Sequence, residues 1–166
     1  AFNGATVLSS VVFNSTGYAA VPANERTYIT TNSFVNTNIT SVVIPAWVRM
    51  NSHCFHQAKE LSSVEFDSTG FADLAAAERT VISEQAFLGT KLRSVVIPAW
   101  VRLLNNAFNG LTVLSSVVFN STGYAAVPAN ERTRITDSSF VNTNITSVVI
   151  PAWLLMNNGC FRDAKE

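Results

Sequence analysis

At 166 residues, with 48% of them hydrophobic, the chain has ample apolar content for a sizeable buried core. Only 13% are charged, and eleven basic residues balance eleven acidic ones, so it lacks both the basic face that neutralises nucleic-acid phosphates and the Lys/Arg-rich side of a membrane-surface helix. No apolar run approaches the roughly 18 residues of a bilayer span, and Ala1-Phe2-Asn3-Gly4 lacks the basic start of a signal peptide.

Six short alternating segments follow in chain order, at residues 8–13, 39–44, 61–66, 92–97, 114–119 and 145–150. Leu8-Ser-Ser-Val-Val-Phe13 and Ile39-Thr-Ser-Val-Val-Ile44 typify them: β-branched, about six residues long, and ended by Pro45, Pro98 and Pro151 or by Asn-Ser-Thr and Asp-Ser-Thr turns. Each is predicted to be a strand whose first, fourth and sixth residues point inward.

These strands belong to a repeat. Phe2, Phe55, Phe108 and Phe161 recur every 53 residues, and Phe34, Phe87 and Phe140 divide each period into steps of 32 and 21. The serine at the third strand position stands at 10, 41, 63, 94, 116 and 147, so coils of 31 and 22 residues alternate. The chain reads as one solenoid segment of 53-residue repeats at 1–53, 54–106 and 107–159 with a partial copy at 160–166, each full repeat holding one long and one short coil. No coil buries its apolar side alone, so stacking on neighbours supplies the core.

Val42-Val-Ile-Pro-Ala-Trp-Val-Arg-Met-Asn-Ser-His-Cys-Phe55, leading to Leu61, resembles the BspA-type leucine-rich repeat, whose units run Leu-x-x-Ile-x-Ile-Pro, then a valine, then Ala-Phe, then Leu. The resemblance covers the whole chain. It implies an α/β leucine-rich-repeat solenoid, β-dominated and right-handed, with parallel strands on one face and turns or one-turn helices opposite. It also implies kinship with surface and secreted proteins of bacteria and some protists, often adhesive. The long coils depart from the pattern: they are nine residues longer and carry Gly-Tyr-Ala-Ala-Val-Pro-Ala-Asn-Glu-Arg-Thr. The chain begins in mid-coil and stops at Asp163-Ala-Lys-Glu166 with no polar cap at either end, as expected of a window of a longer repetitive protein or of a filament subunit.

Candidate sites are few. Asn14, Asn38, Asn120 and Asn144 head glycosylation sequons, although Asn-Ser-Thr is also ordinary turn chemistry. His53, Cys54 and His56 are zinc-binding residue types at poor spacing, and their repeat equivalents Asn106, Asn109, Gly159 and Arg162 are not ligands of that kind, so no metal and no cofactor is expected. Cys54 and Cys160 lie four coils apart, about 20 Å at the strand spacing, too far to bridge. Trp47, Trp100 and Trp153 are expected in the core or on a shelf. Tyr18, Phe71 and Tyr124 are expected to stack, and Glu25-Arg26, Glu78-Arg79 and Glu131-Arg132 to form a solvated ladder.

The outward strand positions make the candidate interaction surface: Ser10, Val12, Ser41, Val43, Ser63, Glu65, Ser94, Val96, Ser116, Val118, Ser147 and Val149. A long apolar stripe of this kind marks a contact. With no paired carboxylates beyond the insert, no Gly-rich phosphate loop and no base for its serines, the chain does not read as an enzyme. The leading expectation is an extracellular or cell-surface structural or adhesive protein that partners itself, end to end or laterally, or neighbouring repeats. The alternative is a module binding a host protein or glycan through the sheet face. Ice binding through Thr37, Thr40, Thr143 and Thr146 is disfavoured because other coils lack the pair.

Overall fold

Across residues 2–15, 17, 21–22, 25 and 28–164, which the computed structural model describes, the alternating segments become parallel strands. In chain order the strands are β1 (Tyr28–Ile29), β2 (Ser41–Pro45), β3 (Arg49–Met50), β4 (Ser63–Asp67), β5 (Val81–Ile82), β6 (Ser94–Pro98), β7 (Arg102–Leu103), β8 (Ser116–Asn120), β9 (Arg134–Ile135), β10 (Ser147–Val149) and β11 (Leu155–Met156). They wind as a β-solenoid of about six turns with almost no helix. The five long strands stack with their serines aligned: Ser41 opposite Ser63, Ser94 opposite Ser116, and Ser116 opposite Ser147.

The first expected strand, residues 8–13, makes only an isolated bridge from Ser10 to Ser41. It has a partner on one side alone, so its ladder is not reinforced from both faces. The last expected strand shortens from 145–150 to Ser147–Val149 for the same reason.

Alternation sets burial. In the middle coils the first, fourth and sixth residues, such as Ile39, Val42 and Ile44 or Leu92, Val95 and Ile97, are buried, with Val64 only partly so. The first coil buries Leu8, Val11 and Phe13 only partly, since no coil covers their far side among the described residues.

The side opposite the long strands holds more than turns. β1, β3, β5 and β7 pair as one parallel ladder, and β9 pairs β11. Their second residues, Ile29, Met50, Ile82, Leu103 and Ile135, are buried. The signal was present in the sequence, because apolar residues at 29, 50, 82, 103, 135 and 156 keep the same alternating 21 and 32 spacing as the phenylalanines. Two-residue strands fall below the length at which alternation can be recognised.

A phenylalanine spine forms the third side. Phe2, Phe34, Phe55, Phe87, Phe108, Phe140 and Phe161 stack in sequence, with centroids 5.1–5.7 Å apart and planes within 14°. Each such pair adds about 0.5–1.5 kcal/mol beyond area burial. Backbone bonds tie the same turns together: Phe34 N–H donates to the Cys54 carbonyl at 2.8 Å, Phe55 to Ala86 at 2.8 Å and Phe108 to Ser139 at 2.8 Å.

Residues two before and two after each ring take left-handed backbone: Asn32 and Asn36, His53 and Gln57, Gln85 and Gly89, Asn106 and Gly110, Ser138 and Asn142, Gly159 and Asp163. Gly and Asn tolerate that region best, which explains their recurrence beside the ring.

The long-coil inserts wind through single 3-10 turns at Phe71–Asp73, Ala76–Glu78, Tyr124–Ala126 and Ala129–Glu131. Gly123 enters its turn at φ 78°, and a Cβ there would lie 2.6 Å from Phe71 and 2.9 Å from Trp100. The second and third inserts each end on a buried threonine. Thr80 Oγ1 donates to the Pro45 carbonyl at 2.8 Å, and Thr133 Oγ1 reaches both the Pro98 and Val101 carbonyls, at 2.9 and 2.7 Å. Glu-Arg-Thr thus pins the insert to the Ile-Pro-Ala-Trp turn of the coil before.

Two expectations about the insert are corrected. Phe71 and Tyr124 do not stack in one column; Phe71 lies on Trp100 (6.0 Å, 14°) and Tyr124 is tilted on Trp153 (5.8 Å, 36°). Insertion of each tryptophan between coils separates them. Nor is the Glu-Arg ladder solvated throughout, because Arg79 is buried and Arg132 lies 3.9 Å over the Tyr124 ring. Tyr18 and Arg26, and the Glu131 side chain, lie outside the described residues.

Candidate interaction surface

The outward column follows from strand parity: the residue between two inward ones must face away. Fractional exposure is 87% at Val12, 47% at Val43, 47% at Val96, 37% at Val118 and 60% at Val149, against 3% or less at the inward neighbours Val42, Val95 and Val117. Glu65 occupies the same column, in register with Val43. Ser10, Ser41, Ser63, Ser94 and Ser147 are exposed alongside, and Ser116 is half-buried. Val96 pairs with Val118 and Val118 with Val149, so three exposed valines are contiguous. The expected surface residues are therefore brought together on one side, interrupted between β4 and β6, where no strand pairing forms among the described residues.

Charge gathers at that interruption. Lys91 Nζ lies 2.7 Å from Glu60 Oε2 with both side chains about half exposed. Beside them a cavity of about 420 Å³ is lined by Ser62, Lys91, Arg93 and Val113. Glu60, Lys91 and Arg93 are positions at which the middle repeat diverges from its sisters, which carry valine, asparagine and threonine there.

The sequon asparagines differ in what they do. Asn120 Oδ1 accepts from Thr122 N at 3.0 Å, the same local turn that Asp67 makes with Thr69 at 2.9 Å one repeat earlier. Asn38 donates its amide to the Thr6 carbonyl at 2.6 Å. Asn14, Asn38 and Asn144 are exposed.

His53 Nε2 is 3.0 Å from Gln85 Oε1, and its ring meets His56 edge-on at 5.5 Å. Burial, and next the His53 charge, lower the His56 pKa. Among the described residues no group of three or more His, Cys, Asp or Glu is placed to hold a metal. Cys54 and Cys160 are buried free thiols, and burial pushes Cys54 up to about 12. A thiol so placed is neither a nucleophile nor a ligand at neutral pH.

Trp47 and Trp100 are core residues and Trp153 is half-buried. The indole N–H groups of Trp100 and Trp153 are buried without a hydrogen-bond partner. Thr37 and Thr143 are also buried, each donating to the carbonyl of the preceding spine phenylalanine, at 2.9 and 2.8 Å. They cannot order surface water.

A family model described as the BspA type leucine rich repeat region matches the chain in six copies, over residues 1–114 and 27–166. No curated protein and no solved structure matches it. Among the described residues no helix is long and apolar enough to cross a membrane.

Proposed function

Because the chain belongs to the BspA-type leucine-rich repeat family, we propose that it is a non-catalytic structural or adhesive repeat displayed outside the cell or on its surface, whose outward strand column packs against other solenoids in a filament or sheath. The family is a repeat scaffold, often surface-associated. One observation carries the reading: Val12, Val43, Val96, Val118 and Val149 are all exposed at one strand position, outside the core that the described residues form. An apolar stripe that recurs without internal cause implies a contact partner. A near-neutral net charge removes the repulsion that keeps proteins apart.

The partners of this reading are copies of the chain or neighbouring repeats. Asn14, Asn38, Asn120 and Asn144 are its glycan attachment points, with occupancy highest where the amide is uncommitted. Intact mass decides that point: extra hexose-type mass supports it, and the bare polypeptide mass removes it. The assembly reading is tested by Val43→Lys combined with Val96→Lys. Sedimentation and electron microscopy should show assembly lost with circular dichroism unchanged; unaltered assembly would refute the reading.

A second reading draws on the cavity beside Lys91 and Arg93. There the sheet face is charged and non-repetitive, which suits recognition of a host protein or glycan by the middle repeat. Loss of ligand capture in Lys91→Asn with Arg93→Thr, the residues of the sister coils, would favour it over assembly.

A further inference from the structure

On the short-strand side, the first residues of β1, β3, β5, β7, β9 and β11 form a second column, with Tyr28 opposite Arg49, Val81 opposite Arg102, and Arg134 opposite Leu155; Val81 alone of them is buried. Its first pair is internally satisfied. Arg49 lies 5.3 Å over the Tyr28 ring and donates to its hydroxyl at 3.3 Å. Between β7 and β9 the ladder is interrupted, and there a cavity of about 240 Å³ opens, lined among others by Arg102, Arg132, Arg134, Asn130, Thr136 and Leu104.

Three arginines line this one concavity of a chain with no net charge. Arg132 is held in place, its Nε donating to the Val127 carbonyl at 3.0 Å and its plane over Tyr124. The side chains of Arg102 and Arg134 are exposed and make no ion pair or hydrogen bond among the described residues. The fold tolerates other residues there, since the sister repeats place Val81 and Tyr28 where Arg134 stands, and the position of Arg102 is held by Arg49 in one sister and by Leu155 in the other.

We propose that this cavity is an oxyanion site that takes a carboxylate-bearing sugar residue of the hexuronate or sialate class. The guanidinium fork matches a carboxylate through two parallel hydrogen bonds. The Asn130 amide supplies donors and an acceptor for ring hydroxyls, the Thr136 hydroxyl, whose proton goes to Ser139 Oγ at 3.1 Å, supplies an acceptor, and Leu104, 41% exposed, offers an apolar floor for the ring. The volume is below the roughly 300–1,000 Å³ of drug-sized pockets and suits a single ring. The site lies on the short strands and does not depend on the valine column.

The test is calorimetric or saturation-transfer titration of the whole chain with glucuronic acid, N-acetylneuraminic acid, glucose and triglutamate. One of the acidic sugars should bind with a roughly millimolar dissociation constant that rises with salt. Glucose should bind at least about tenfold more weakly. Arg134→Val and Arg102→Leu, which restore sister-repeat residues and so retain the fold, should each raise the constant at least about tenfold with no loss of thermal stability. Equal binding of glucose, no binding of either acidic sugar, unchanged affinity in both variants, or tighter binding of triglutamate than of the acidic sugars would each overturn the proposal.

Discussion

The phenylalanine spine and the valine column run along the same solenoid and repeat with the same period, yet they are held by different constraints. At the spine every ring from Phe34 to Phe140 packs between two others, flanking residues adopt left-handed backbone, and backbone hydrogen bonds tie each turn to its neighbour. Each feature independently demands the residue found there. At the valine column the chain makes no such demand: Val43 and Val96 lie on the surface, and Glu65 replaces them without disturbing the register of β2 and β4. Recurrence at the spine is thus explained from within the molecule, whereas recurrence at the column calls for something outside it.

That contrast can be broken most sharply at the spine. Phe87, fully buried between Phe55 at 5.7 Å and Phe108 at 5.6 Å, should lose about 3–5 kcal/mol of stability on substitution by Ala. Val96→Ala should change stability by no more than about 0.5 kcal/mol. Denaturant titration of the two variants checks both, and equal losses would erase the distinction between the faces.

A smaller effect is expected where the insert is pinned. Thr133→Val removes a hydroxyl that donates to one of two carbonyls in a buried site, and should cost about 1–3 kcal/mol by thermal melting. Smaller still is the spine's backbone requirement. Ser138, at φ 58°, pays the left-handed penalty that glycine avoids, so Ser138→Gly should stabilise by up to about 1 kcal/mol. The corresponding change on a strand, Ser94→Gly, should destabilise.

Burial of Cys54 predicts a pH dependence with a definite sign. Its pKa, pushed to about 12 in the folded chain, stands above the unfolded value of about 8.5, so the folded state retains a proton that the unfolded state releases. Its contribution is fully present below the unfolded value and falls as pH rises from there toward 12. The Cys54→Ala variant should therefore show a flatter stability profile above pH about 9. In the native state Cys54 should resist thiol reagents at neutral pH and react on unfolding.

Much of the solenoid is legible in the residues because its long strands alternate and its phenylalanines keep strict spacing. Parity alone places Val42 inward and Val43 outward. The short strands were missed because a pair such as Arg49-Met50 carries no alternation to detect, although Ile29, Met50 and Ile82 share the spine's spacing. Arg79 was read as a solvated charge because its packing against the neighbouring coil arises from coil stacking, which local sequence does not express. The same limit hid the arginine cavity, whose members at 102 and 132–134 meet only across two coils.

The central claim, that successive coils stack in parallel register, is tested most directly by a distance between nitroxide labels on Ser10→Cys and Ser147→Cys, with the buried native thiols left unlabelled. Five strand spacings separate these positions, so the account predicts one narrow distance distribution near about 24 Å, broadened only by the label linkers. A broad distribution, or a mean far from that value, would contradict it.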